Sequence, residues 1–169
     1  MSSPRDTNRK MAQVHGSVVA IAVDPDGPLH GVIFLGPAGA GKTSLSFALC
    51  GTCPYRRTRI VADDIVNIEE QSGVLYASAP DQLKGLMELR GYGPVRIRTL
   101  ASIPLLAAFD LSSQVARVAN PGVFAPIEGG PATSALQFDI AAPYAAERAR
   151  LLARAILVDK SSNPPTISR

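Results

Sequence analysis

The chain has 169 residues, 46% of them hydrophobic, which suits one domain with a sizeable core. Only 18% are charged, the formal net charge is +3, and aromatics are 5% with no Trp, so neither a strongly basic surface nor an aromatic stacking platform speaks for nucleic acid. Apolar runs fall short of the roughly 20 residues of a membrane span, and the polar start from Met1 to Asp6 carries no signal-peptide pattern; a cytoplasmic protein that binds neither nucleic acid nor membrane is expected.

In chain order, residues 1–11 are polar and charged and are expected to form a flexible tail. Val14 to Val23 reads as one β-branched strand, and the turn chemistry of Asp24-Pro25-Asp26-Gly27-Pro28 joins it to a second strand, Gly31 to Leu35, as a hairpin. A glycine-rich stretch, Gly36 to Gly41, separates that strand from a helix over Lys42 to about Cys50. Arg59 to Ala62 forms a short apolar strand that ends at Asp63-Asp64. Asp64 to Ile68 and Val74 to Ala77 then flank Glu69 to Gly73 as a second hairpin. Leu83, Leu86 and Met87 fall at helical spacing within Pro80 to Glu88, and the following Leu89-Arg90-Gly91-Tyr92-Gly93-Pro94 cannot continue a helix and reads as a loop. Ser102 to Val118 is apolar without a clear period, and Asn120 to Thr133 is a Gly- and Pro-rich loop. Ala145 to Val158 carries Ala145, Ala149, Leu152, Ala153 and Ile156 on one side, an amphipathic helix, and 159–169 is expected to be a second flexible tail. The fold expected is an α/β domain over 12–158, built on a mixed β-sheet flanked by helices; the hairpins argue against a purely parallel sheet.

The only cysteines, Cys50 and Cys53, stand as C-x-x-C. A redox dithiol of this kind opens a helix, whereas this pair closes one. His15 and His30 lie upstream on other elements without finger-like spacing, which leaves a structural reading ahead of a zinc site.

Gly36-Pro37-Ala38-Gly39-Ala40-Gly41-Lys42-Thr43 matches G-x-x-x-x-G-K-[ST] in full, with a strand before it and a helix after it. The glycines let the backbone wrap a phosphate, and the helix N-terminus adds its positive dipole. Lys42 would reach the β- and γ-phosphates of a nucleotide, and Thr43 would offer its hydroxyl to Mg²⁺. Asp63-Asp64 closes a strand where such proteins hold the metal; one carboxylate could bind it and the other take a proton from an attacking hydroxyl, or the pair could be a solvated acidic turn. Glu88 and Arg90 on their own read equally well as a surface ion pair.

The string Val61-Ala62-Asp63-Asp64 after the phosphate loop, followed by Met87-Glu88-Leu89-Arg90-Gly91-Tyr92-Gly93 and preceded by His15-Gly16, resembles the catalytic domain of the HPr kinase/phosphorylase family. The resemblance runs from about Val14 through Gly93, and the Arg-Gly loop is its most specific part. It implies a P-loop fold of the phosphoenolpyruvate carboxykinase type and an enzyme that phosphorylates a serine of the phosphocarrier protein HPr with ATP and Mg²⁺, with a reverse step that uses inorganic phosphate. It further implies Lys42 and the loop Gly36 to Thr43 as the nucleotide site, Asp63 as the base, with Asp64 as the alternative, and Asp64, Glu88 and Thr43 on the metal. His15 would stand nearby and Arg90 in the signature loop. The length resembles the short, catalytic-domain-only type, and a homo-oligomer is compatible with the family. Ala38 stands where the family usually has Ser, Thr43 replaces its usual Ser, and beyond Gly93 the match thins. Two other readings stay open: a small-molecule kinase or NTPase, which uses the phosphate loop and the Asp pair alone, and a nucleotide-sensing module that binds ATP and a partner without catalysis.

Overall fold

A computed structural model describes residues 10–111 and 120–162. Five elements form the first half of the described chain: β1 (Met11–His15), β2 (Ser17–Ile21), β3 (His30–Leu35), α1 (Lys42–Gly51) and β4 (Arg59–Ala62). They are followed by β5 (Ile65–Gln71), β6 (Val74–Ser78), β7 (Leu86–Leu89), β8 (Gly93–Arg96), β9 (Ser102–Asp110), β10 (Gly122–Phe124), β11 (Thr133–Gln137) and α2 (Ala145–Ser162). The main sheet runs β1-β5-β6-β9-β3-β2-β4, with β11 also on β9 and β10 on β11. β7 and β8 form a separate antiparallel ribbon.

Strand β9 makes the sheet mixed. Its first residues pair antiparallel with β6, Pro104 opposite Tyr76, while its later residues pair parallel with β3 on one side and β11 on the other. The alternating side chains of β2 and β3 divide between two cores. Val19, Ile21, Val32 and Phe34 face α1 and α2, joined by Leu45, Leu49, Ala149 and Ala153. Val18, Ala20 and Ile33 face Val66, Ile68, Leu75 and Ala77 of β5 and β6, so the sheet curls over its second face. Both helices therefore lie on one side of the sheet, and the other side is covered by strands.

Several sequence expectations hold. The β2–β3 and β5–β6 hairpins form, β4 spans the four residues expected, and α1 starts at Lys42. Others need correction. The strand expected over Val14 to Val23 breaks at Gly16, where an added Cβ would lie 2.9 Å from the carbonyl oxygen of Phe34; β1 leaves this close approach for β5, and β2 for β3. Met11 already belongs to β1, and 1–9 lie outside the described residues. The helix expected over Pro80 to Glu88 is a single 3₁₀ turn, Asp81–Leu83, after which Gly85 turns the chain at φ +72° into β7. β9 lies inside the apolar stretch that had no phase, because Leu105 to Phe109 are all buried and an enclosed strand does not alternate; residues 112–118 of that stretch lie outside the described residues. The Gly- and Pro-rich loop contains β10. α2 continues to Ser162, so 159–162 are helical, and 163–169 lie outside the described residues.

Phe109 is fully buried in β9, with ring centroids 6.0 Å from Phe34 and 5.5 Å from Phe138. Phe109→Ala is expected to cost about 3–5 kcal/mol, measured as a lower unfolding midpoint in denaturant.

Cys50 and Cys53 are free at the end of α1. Burial pushes the Cys50 thiol up. Burial also pushes Cys53 up, but hydrogen bonds from the Thr58 side chain and nearby backbone outweigh it and bring that thiol down to about 7. A thiol whose pKa is lower in the folded chain adds stability above its unfolded pKa and loses it as pH falls through the folded value. Stability should thus rise by about 2 kcal/mol from pH 7 to above pH 9, and Cys53→Ser should remove that part of the rise.

Candidate active site

The glycine-rich loop sits between the end of β3 and the start of α1. Gly36, Gly39 and Gly41 have φ values of 141°, 84° and 94°. The constraint is tightest at Gly41, the residue that caps α1, where an added Cβ would lie 2.6 Å from Cδ1 of Ile140. No side chain caps this helix end and no acidic residue stands in its first turn. Its dipole and first N–H groups thus present a ready anion site. The Lys42 ammonium folds back and donates to the carbonyl oxygens of Gly36 at 2.7 Å and Pro37 at 2.9 Å, closing the loop on its own cation.

Beside the loop, the chain turns sharply between β4 and β5. Asp64 has φ +73°, and the Ile65 N–H donates to the Asp63 carbonyl at 3.0 Å, a three-residue turn that side chains other than glycine seldom adopt. Such strain persists where neighbours hold it. Here the Gly16 N–H donates to the Asp64 carbonyl at 3.1 Å. The turn sends the two carboxylates to different surroundings. Asp63 is buried, 8% exposed, and its Oδ1 accepts from Ser17 Oγ at 2.6 Å and Thr43 Oγ1 at 2.9 Å, while Oδ2 accepts from Thr43 at 3.1 Å. Asp64 is exposed, with its Oδ1 3.7 Å from Nδ1 of an equally exposed His15.

The β7–β8 ribbon completes the arrangement. Glu88 lies in β7, and Arg90 lies in the tight turn closed by the Tyr92 N–H on the Leu89 carbonyl. Arg90 reaches the phosphate loop: a Cβ added to Gly39 would lie 3.5 Å from its Nη2. One cavity of about 520 Å³ is lined by Ala38, Gly39, Gly41, Lys42 and Thr43, by Asp63 and Asp64, and by Glu88 and Arg90. Nine of the sequence-selected residues are thereby brought together. Gly36 and Pro37 contribute through the carbonyls that hold Lys42, Ala40 turns the loop through its N–H on Pro37, and His15 stands at Asp64. Ser17, Ser44, Phe47 and Leu89 also line the cavity, and sequence reasoning had not placed them there. Leu89 lies inside the Met87 to Gly93 string, and Ser17 stands out as the single hydroxyl heading the apolar run Val18 to Val23.

Thr43, Asp63, Asp64 and Glu88 are all oxygen donors, the chemistry Mg²⁺ prefers. Among the described residues no three His, Cys, Asp or Glu side chains form a cage, and Mg²⁺ is usually held by one or two carboxylates plus phosphate oxygens. The donor set fits that ion.

The sequence profile of the HPr serine kinase C-terminal domain matches residues 8–105, which contain every residue lining this cavity. The chain belongs to that family. An HPr kinase/phosphorylase from Geobacillus sp. (strain WCH70) is 41% identical over 71 residues, covering 41% of this chain and 22% of the relative. One from Peptoclostridium acidaminophilum is 35% identical over 89 residues, 52% of this chain and 28% of the relative. The chain thus spans less than a third of the length of these curated relatives. The solved Hpr(Ser) kinase/phosphatase from Coxiella burnetii superposes with a TM-score of 0.70 over 89% of this chain and 93% of that one, at 18% identity, which establishes a shared fold. Among the described residues no helix is long and apolar enough to cross a membrane.

Gly41→Ala has to adopt an unfavourable φ and displace Ile140. A loss of about 1–2 kcal/mol in thermal or denaturant unfolding is expected, against little change for Gly51→Ala, where an added Cβ meets nothing within 4 Å.

Proposed function

We propose that this chain is the catalytic unit of an ATP-dependent protein serine kinase, that its acceptor is an HPr-type phosphocarrier of the phosphotransferase system, and that it runs the reverse transfer with inorganic phosphate. The observation that carries the reading is the meeting, around one cavity, of the phosphate loop, the Asp63–Asp64 turn and the Glu88–Arg90 ribbon in a member of the HPr serine kinase family. The phosphoenolpyruvate carboxykinase-like P-loop assignment belongs to the same proposal. So do the extent of the catalytic unit over Met11–Ser162, a cytoplasmic place of action and a homo-oligomeric state.

In this mechanism the loop amides and Lys42 bind the β- and γ-phosphates, with the lysine exchanging the Gly36 and Pro37 carbonyls for phosphate oxygens. Arg90 approaches from the far wall and balances charge on the transferring group. The acceptor serine hydroxyl attacks the γ-phosphorus as the bond to ADP breaks. Its proton passes to Asp63, whose carboxylate is shielded from water and already fixed by two hydroxyls. Thr43, Asp64 and Glu88 would hold Mg²⁺, which would supply neutralisation of phosphate charge when bound. Most of the rate gain comes from positioning and preorganised charge.

The test is transfer from γ-labelled ATP with Mg²⁺ to purified HPr. The full chain should label HPr on serine. Asp63→Asn should slow labelling by about 10²–10⁴-fold while ATP still binds, and Lys42→Met should abolish ATP binding itself. Hydrolysis of ATP with no label on HPr would overturn the acceptor assignment. Unchanged labelling by Asp63→Asn would remove the proposed base.

A further inference from the structure

The hydroxyl of Ser17 stands apart from everything around it. It heads β2, whose five residues are fully buried, and the four that follow it are Val18, Val19, Ala20 and Ile21. A hydroxyl with no exposure at the end of an apolar strand is costly unless it is hydrogen-bonded. Its one proton goes to Asp63 Oδ1 at 2.6 Å.

The two donors on Asp63 differ in what else they do. Thr43 belongs to the first turn of α1, spreads one proton over both carboxylate oxygens at 2.9 and 3.1 Å, and lies where a nucleotide's phosphates and metal would draw on it. Ser17 belongs to a strand held between β3 and β4 and, among the described residues, has no such second partner in the site. Its place is set by backbone as well. Gly16 lies against the Phe34 carbonyl with no room for a Cβ, and its N–H donates to the Asp64 carbonyl, so the residue after it arrives opposite Asp63. Ser17 occupies Oδ1, and Oδ2 keeps the freer lone pairs.

We infer that Ser17 is a positioning residue that holds the Asp63 carboxylate in one orientation, so that Oδ2 remains the oxygen available to the acceptor hydroxyl throughout the nucleotide cycle. This inference rests on the kinase reading for its kinetic consequence, and on geometry alone for its structural one.

The experiment compares the full chain with Ser17→Ala and Ser17→Thr, in labelling of purified HPr from Mg²⁺-ATP and in crystal structures of the three proteins. Loss of one hydrogen bond to a charged group should lower kcat about ten- to a hundred-fold in Ser17→Ala. KM for ATP should stay within about two-fold, because the loop and Lys42 are untouched. Ser17→Thr, which keeps the hydroxyl, should recover kcat to within about three-fold. In the crystals, Asp63 should keep its orientation in Ser17→Thr and turn to a second rotamer in Ser17→Ala. A role in packing alone predicts the reverse ranking, since Ala fits the space and Thr adds a methyl group. Wild-type kcat in Ser17→Ala, or an Asp63 carboxylate unmoved in its crystal, would overturn the inference. If the unmodified chain does not label HPr, the kinase reading fails, and the orientation of Asp63 in the crystals alone decides the role of Ser17.

Discussion

The structure hangs on β9. It is bonded to β6 along its first residues and to both β3 and β11 along the rest, so the curl of the sheet is set inside this one strand. From Leu105 to Phe109 its side chains are buried on both faces, and Phe109 carries the aromatic stack that ties the sheet to Phe138 ahead of α2. Burial of that many apolar side chains is the main favourable term available to a chain of this size. Because β3 is held parallel against β9, its C-terminal end is fixed at the edge of the core. The phosphate loop begins there.

From that fixed point the site is assembled by three connections that depend on one another. The loop needs α1 to follow at once, since its glycines lead directly into the helix. The acid pair needs the β4–β5 turn, which needs Gly16 against it. The Glu88–Arg90 ribbon belongs to no larger sheet and meets the loop only across the cavity. Two of these parts are therefore backed by the core, and the third is held by its own pairing and its local contacts.

What the sequence made legible follows this division. The phosphate loop, α1, β4 and the two hairpins depend on local signals, namely glycine spacing, turn residues and short β-branched runs, and those signals sit next to the structures they cause. Leu83, Leu86 and Met87 satisfy helical spacing, so the sequence suggests a helix where β7 lies and a loop where β8 begins, whereas pairing of Leu86 to Leu89 with Gly93 to Arg96 and the turn at Gly85 decide the outcome. Met87 is buried as that pattern implied, on a strand instead of a helix. β9 had no readable period because enclosure on both faces removes it. The residues Asp63, Asp64, Glu88 and Arg90 were selected by motif and do share a cavity, but Ser17 is brought to Asp63 from 46 residues away by strand pairing, which no local window contains.

Lys42 gives the loop a property of a different kind. With its ammonium already shared between two backbone carbonyls, the cation is solvated by the protein before any ligand arrives. On the proposed reading an anion would not meet a bare charge but one already partly satisfied by backbone oxygens. An ammonium has three N–H donors and the two carbonyls take two of them, so on that reading the third would meet an anion first, from a cation whose position the loop has already fixed.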